Sequence, residues 1–341
     1  MIEKMCEEIE LRFDYLQDKN LGSIYFGGGT PSLLKFTELE QLFKTIRKYF
    51  NFDQTAEITL EANPDDISLE KIKEWKALGI NRFSVGLQSF KKEDLKWMNR
   101  AHQVEDGYAS IALLKSQGIS NISVDLIYGL PELSDNDWEE HLQNVIELQV
   151  PHISSYCLTV EPKTALNKLV RNKTLSPANE EAQERQFLMM SEILCENGFQ
   201  HYEISNFALP EKKAVHNSNY WKGEPYMGIG PSAHSFDGKS RRWNIANNQV
   251  YMNSIGKNDN WFETEILSEK EKWNEYILTG LRTSWGISLE HLRTFNFFDE
   301  QIKNEINKMI EEGLALIPSD HIILTKKGML QADALAANLF V

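Results

Sequence analysis

Cysteine is scarce in this chain, with three in 341 residues at positions 6, 157 and 195. Spaced so widely, they offer no disulfide framework and no CxxC site, and they point to a reduced compartment. Long hydrophobic runs are missing too. None approaches the length of a membrane span, and no basic segment followed by an apolar one opens the chain. Positive charge is in deficit, 36 Lys and Arg against 50 Asp and Glu for a net charge of −14. That balance argues against a nucleic-acid partner, because phosphate-backbone binding needs clustered Lys and Arg. No low-complexity tract and no close repeat occurs. The expectation is a cytoplasmic protein with one large α/β domain and a smaller one.

What is present is a strand–helix rhythm. Met1 to about Tyr15 reads as an amphipathic helix, with Ile2, Met5, Ile9 and Phe13 near helical spacing. Strands are expected at 23–27, 56–62, 82–88, 121–127, 152–158 and about 199–203. Helices are expected at 37–49, 68–78, 91–97, 104–117, 135–149 and 179–197. Repeated alternation with short connections implies parallel strands joined by right-handed crossovers. Pro151, Pro162 and Pro177 fit connections better than element interiors. The chain opens on a helix with no strand before it, as if in the middle of a βα pattern.

Parity within the strands says more. Ile58 and Leu60 alternate with Glu57, Thr59 and Glu61. Phe83, Val85 and Leu87 alternate with Arg82, Ser84, Gly86 and Gln88, and 121–126 repeats the pattern. One face of each strand is therefore apolar, to be covered by helices, and the other polar. That polar face does not suit the packed aliphatic interior of a closed eight-stranded barrel. A sheet with one face in water is rare among parallel sheets. An open barrel whose interior holds a polar ligand accounts for the pattern.

From about His201 to Tyr251 the chain reads as loop-rich and dense in Asn, His and aromatics, a composition that argues against disorder. Helices are expected again at 268–282, 288–295 and 299–312, then a hairpin over 314–317 and 321–324, and a last helix at 325–338. This ending resembles a winged helix. Its Glu-rich composition makes it a packing or interaction lobe rather than a DNA binder. The organisation expected is 1–205 barrel, 206–260 connection and 261–341 C-terminal lobe.

Ligands of parallel α/β folds bind at the carboxyl ends of the strands. The stretch Ile24-Tyr25-Phe26-Gly27-Gly28-Gly29-Thr30-Pro31-Ser32 lies at one such end. Its three glycines allow a tight turn or the approach of a ligand to backbone amides. Glu61 and Gln88 end the next two strands, Asp125 lies on the one after, and Arg100 follows a short helix near the same rim. A carboxylate at Glu61 would accept from ligand hydroxyls or an amine, and Arg100 suits a ligand carboxylate.

Five ordered motifs carry a resemblance: Gly27-Gly28-Gly29-Thr30-Pro31, Glu61-Ala62-Asn63-Pro64, Val85-Gly86-Leu87-Gln88-Ser89, Asn99-Arg100-Ala101-His102 and Asp125-Leu126-Ile127-Tyr128-Gly129-Leu130-Pro131. They resemble the radical S-adenosylmethionine (SAM) proteins related to oxygen-independent coproporphyrinogen III oxidase, over nearly the whole chain. The resemblance implies a partial (β/α)6 barrel, here missing its first strand, with a mainly helical C-terminal lobe. It assigns S-adenosylmethionine contacts to Gly28, Gly29, Thr30, Glu61, Gln88, Arg100 and Asp125. Within the family, His216-Asn217-x-x-Tyr220-Trp221 resembles the signature of the HemW haem chaperones rather than the oxidases.

That likeness implies haem as ligand, His216 as a possible iron ligand, and aromatics packed on the macrocycle. It implies haem-requiring respiratory proteins as recipients, with peripheral membrane association through them and homodimer formation as further expectations. His234 is a weaker second ligand candidate, and Cys157 reads as a buried strand residue. The family also carries a CxxxCxxC loop whose thiolates hold a [4Fe–4S] cluster, and this sequence has no such run. A sequence shortened before Met1 is one account, and a cluster-free homologue acting as a binding protein is another. The alternative activity is radical decarboxylation of a porphyrinogen.

Overall fold

A computed structural model describes residues 1–160, 165–172, 179–257 and 260–341. The expected connections at Pro162 and Pro177 lie outside these residues. The first half follows the alternation: α1 (Ile2–Leu11), β1 (Ser23–Phe26), α2 (Phe36–Tyr49), β2 (Glu57–Ala62), α3 (Leu69–Leu78), β3 (Arg82–Gln88), α4 (Lys92–Trp97), α5 (Val104–Ser116), β4 (Ile122–Tyr128), α6 (Asp135–Glu147) and β5 (His152–Cys157). Next come α7 (Ala165–Arg171), α8 (Glu180–Glu196), β6 (Gln200–Glu203) and β7 (Asn206–Ala208).

Strands β1 to β5 pair in chain order and all in parallel, with Ile24 opposite Ile58, Leu60 opposite Phe83, and Val124 opposite both Val85 and Ile153. Seven strands in the order β1-β2-β3-β4-β5-β7-β6 form a curled half-barrel. The apolar parity face packs outward. Leu60, Phe83, Val85 and Val124 meet Leu39 and Phe43 of α2, Ile72 and Trp75 of α3, Leu114 of α5, Trp138 of α6 and Met190 of α8 in one buried core. Burial of such side chains contributes roughly 1.5–3 kcal/mol each and holds the sheet to its helical coat.

Three expectations need correction. The strand expected at 199–203 forms, but it is not the parallel neighbour of β5. The chain turns at Ile204-Ser205, where Glu203 accepts hydrogen bonds from the Ser205 amide at 3.2 Å and from Asn206 Nδ2. It then runs back as β7 between β5 and β6, antiparallel to both. The segment read as loop-rich contains regular structure, α9 (Val215–Trp221), β8 (His234–Phe236), β9 (Ser240–Asn244) and the start of α10 (Asn248–Ser254), and an unexpected strand, β10 (Phe262–Ile266), follows it. Strands β8 to β10 make an antiparallel sheet in the order β10-β9-β8. β8 has three residues and β9, Ser240-Arg241-Arg242-Trp243-Asn244, shows no apolar–polar alternation, whereas β10 alternates Phe262, Thr264 and Ile266 with two glutamates and went unread.

The C-terminal lobe comprises α11 (Glu269–Leu281), β11 (Ile287–Ser288), α12 (Leu289–Leu292), α13 (Glu300–Glu311), β12 (Ala315–Leu316), β13 (His321–Leu324), α14 (Lys326–Met329) and α15 (Ala332–Asn338). The third correction lies here. The last helix is broken in two, because Gln331 leaves helical backbone at φ −121°. The expected wing gains a third strand, β11, paired with β13. The lobe has its own core around Trp273, Ile277, Ile306 and Ile322. It meets the half-barrel at β6, where the Ser284 amide donates to Tyr202 O at 2.9 Å and the Ile204 amide to Arg282 O at 3.0 Å. No helix among the described residues is long and apolar enough to cross a membrane.

Candidate functional site

The polar parity face becomes the concave interior. At its rim, Tyr25 Oη donates to Glu61 Oε1 at 2.6 Å and the Gly28 amide donates to Glu61 Oε2 at 3.2 Å. The glycine turn is thus tied to the end of β2. Gly28 and Gly29 have φ of 74° and 140°, where a side chain would be strained, and the space around both is open. Thr30 follows at φ −136° and leads into a single 3-10 turn at Pro31–Leu33.

Asp125 accepts from Ser84 Oγ at 3.1 Å. Burial pushes its carboxyl up to about 6, and the Glu61 charge adds to the rise, while the Ser154 and Ser84 hydroxyls and Arg82 oppose it. Arg100 follows Asn99, whose φ is 56°. Burial lowers the Arg100 pKa and the Asp125 charge opposes that, which sets the guanidinium within electrostatic reach of the carboxylate. Gln88 ends β3 at φ 69°, beside a register shift that begins at Val85.

The interior holds further side chains to which sequence reasoning gave no site role. Arg82 Nε stands 3.7 Å from Glu57 Oε2, and both residues are buried. His152 faces the Ser123 hydroxyl through Nδ1 at 2.7 Å and Tyr202 Oη through Nε2 at 2.8 Å. Full burial holds this imidazole neutral, its pKa well below the usual value, and Arg82 adds to the fall. Tyr156 shares the inner face of β5 with His152 and Ser154 and is 48% exposed. Strand parity had placed Glu57 and Arg82 on the polar face, and the same parity applied to β5 finds His152 and Tyr156, each two residues from Ser154.

Helix α9 brings the His-Asn-x-x-Tyr-Trp signature to this interior. The His216 ring stacks on Tyr25 with centroids 4.9 Å apart, and its Nδ1 lies 3.1 Å from Ser23 Oγ. Burial lowers the His216 pKa; Arg82 adds to this and Glu57 opposes it. Asn217 and Trp221 face inward to the protein. Asn217 Nδ2 donates to Tyr202 Oη and its Oδ1 accepts from Trp221 Nε1, both at 3.1 Å. The Arg282 guanidinium lies 5.5 Å from the Trp221 ring centre. Tyr220 is 45% exposed and packs on Tyr226.

Tyr25 therefore touches both groups of expected site residues, with its hydroxyl on Glu61 and its ring on His216. His234 is exposed and stands apart from them, facing Trp243 at 6.3 Å.

With Glu57 engaged by Arg82 and the α9 amides, the Glu61 and Asp125 carboxylates against Arg100 suit a cationic ligand. A sulfonium with an α-amino group is such a ligand, so the rim fits S-adenosylmethionine. The cysteines present do not fit a [4Fe–4S] cluster. Cys6 is buried on α1, Cys157, expected as a buried strand residue, lies on β5 but only half-buried, and Cys195 is exposed on α8. Among the described residues no three His, Cys, Asp or Glu side chains converge on a metal position.

Comparison with known proteins adds the family. The model of the Radical SAM superfamily matches residues 2–145 and that of the HemN C-terminal domain matches 267–330. The haem chaperone HemW of Lactococcus lactis is 33% identical over 329 residues, covering 96% of this chain and 86% of that protein. The Bacillus subtilis haem chaperone HemW is 32% identical, covering 91% and 83%. A mitochondrial radical S-adenosyl methionine domain-containing protein 1 of Danio rerio is 31% identical, covering 87% and 69%. In fold, coproporphyrinogen III oxidase of Escherichia coli superposes with a TM-score of 0.81 at 23% identity, over 99% of this chain and 82% of that one. The chain belongs to the HemW family of the radical SAM superfamily.

Proposed function

We propose that this protein is a haem chaperone that binds haem beside α9, with His216 as iron ligand, and delivers it to haem-requiring proteins. The observation that carries the reading is the state of His216. Its ring is clamped by Ser23 Oγ and by Tyr25, burial favours the neutral form, and among the described residues nothing hydrogen-bonds Nε2. A neutral imidazole fixed through Nδ1 presents Nε2 as a ligand. The exposed Tyr220 ring one turn along the helix offers a face for the macrocycle. Asn217 and Trp221, engaged with Tyr202 and with each other, hold the helix in place.

The rim residues Gly28, Gly29, Thr30, Glu61, Gln88, Arg100 and Asp125 form the S-adenosylmethionine site in this reading. Respiratory haem proteins are the recipients, reached in the cytoplasm or at the membrane surface, with the chain acting alone or as a homodimer. The reading is favoured over radical decarboxylation of a porphyrinogen because the signature helix and the similar chaperones agree, whereas the oxidase shares the fold at 23% identity.

Titrating the protein with hemin tests it. We expect saturable binding with a histidine-ligated Soret band, and a shift of that band with weaker binding in His216→Ala. Identical spectra and affinity for the two proteins would remove His216 from the site.

A further inference from the structure

We propose that Glu57 is the positioning residue of the haem site: its carboxylate grips the first backbone amides of α9 and so sets the direction in which His216 presents its ring. The inference rests on the reading of His216 as the haem ligand and extends it to a residue 159 positions earlier in the chain.

The local sequence of α9 cannot cap its own start. The residue before the helix is Ala214, which has no side-chain acceptor, and no local side chain caps the helix. The first amides of a helix lack intrahelical partners and need acceptors from elsewhere. Glu57 supplies them from the floor of the half-barrel. Its Oε2 accepts from the Val215 amide at 3.0 Å and its Oε1 from the His216 amide at 2.9 Å. A carboxylate that is 7% exposed is costly without compensation, and here the two amides and the guanidinium of Arg82 provide it.

Two adjacent amides held by one rigid carboxylate fix the backbone at His216, and with it the Cα–Cβ direction. Ser23 and Tyr25 then fix the ring. On the next residue, Asn217 holds Tyr202 Oη at 3.1 Å, so the helix is held from a second side. Glu57 acts on the backbone and touches no haem, so its loss changes the presentation of the imidazole and leaves the imidazole in place.

The test compares native protein, His216→Ala, Glu57→Ala and Glu57→Gln in hemin titrations. Affinity, the Soret maximum and the induced circular dichroism of the Soret band are read, with far-ultraviolet circular dichroism as the folding control. The induced signal reports a fixed haem orientation, which a general loss of stability does not alter at saturation. His216→Ala is expected to lose the histidine-ligated band and regain it on addition of imidazole. Glu57→Ala is expected to keep that band, bind hemin roughly tenfold more weakly and show reduced induced dichroism, since two charge-assisted hydrogen bonds are lost. Glu57→Gln keeps one acceptor oxygen and is expected to fall between native protein and Glu57→Ala; it also replaces Glu57→Ala should that variant not fold. Native affinity and native induced dichroism in the folded Glu57 variants, with His216→Ala impaired, overturn the positioning role and leave His216 as ligand. An unimpaired His216→Ala overturns both.

Discussion

Gly27 lies outside the left-handed region, and its lack of a side chain is explained by its neighbours. A Cβ there would fall 2.4 Å from Tyr25 Cε1 and 2.7 Å from Glu61 Oε1. Gly28 is the reverse case, with open space around it but φ at 74°. The two alanine variants should therefore fail differently. Gly27→Ala must displace the Tyr25–Glu61 pair and is expected to cost about 1–3 kcal/mol, as overpacking does. Gly28→Ala is expected to cost about 1 kcal/mol through backbone strain while leaving that pair in place. Denaturant midpoints together with tyrosine fluorescence distinguish them. Three consecutive glycines were visible in the sequence, but their separate reasons were not, because Gly27 answers to the Tyr25–Glu61 pair and Gly28 to its own backbone conformation.

At the level of elements, the β6–β7 hairpin replaces the expected single strand and carries a pH response. His201 on β6 stacks on Phe207 of β7 at 4.0 Å, faces the Ile204 carbonyl through Nε2 at 3.0 Å and Ser191 Oγ of α8 through Nδ1 at 3.2 Å. The carbonyl can only accept, so Nε2 carries the proton and Nδ1 receives one from the serine. Burial pushes the His201 pKa down to about 4, helped by the nearby Lys326 charge. A depressed folded-state pKa gives stability that is present above the unfolded value near 6.5 and is lost as pH falls towards the folded value. We expect unfolding free energy to drop on the order of 2–3 kcal/mol between about pH 6.5 and 4 from this group. The buried His152 adds to the fall. Urea titrations across that range check it: His201→Phe should flatten the slope without abolishing it, and an unchanged slope would exclude His201 as a source. The helices between the five parallel strands, and those strands themselves, were legible because their apolar periods are clear. The hairpin was not, since a three-residue strand has too little alternation to read.

Over the whole molecule, one buried carboxylate ties the first helix to the segment after α9. Glu8 accepts from Arg12 Nη1 at 2.6 Å, the Gly230 amide at 2.9 Å, Asn244 Nδ2 at 2.8 Å and Tyr251 Oη at 2.5 Å. Its donors on the loop before β8, on β9 and on α10 are more than 200 residues away in the chain. Glu8→Ala leaves the Arg12 charge buried with only the neutral acceptors Gly228 O and Ser235 Oγ and is expected to cost about 3–5 kcal/mol. Chemical denaturation measures that cost, and faster hydrogen exchange across 228–251 should accompany it. Little change in either would mean that α1 is held by its apolar face alone. By itself, the sequence determined the βα order, the apolar and polar faces of the strands, the polar residues at the strand ends from the glycine turn to Asp125, the absence of a cluster-binding loop from these residues, and the His-Asn-x-x-Tyr-Trp signature. Those features are local, set by periodicity, composition and short motifs. Only the tertiary structure decided that Tyr25 joins Glu61 to His216, that Asn217 and Trp221 hold the helix while His216 turns its ring to β1 and Tyr220 stays exposed, and that Glu57 caps a helix which cannot cap itself. Such pairings join strands and helices up to 243 residues apart, and no local pattern encodes a partner that distant.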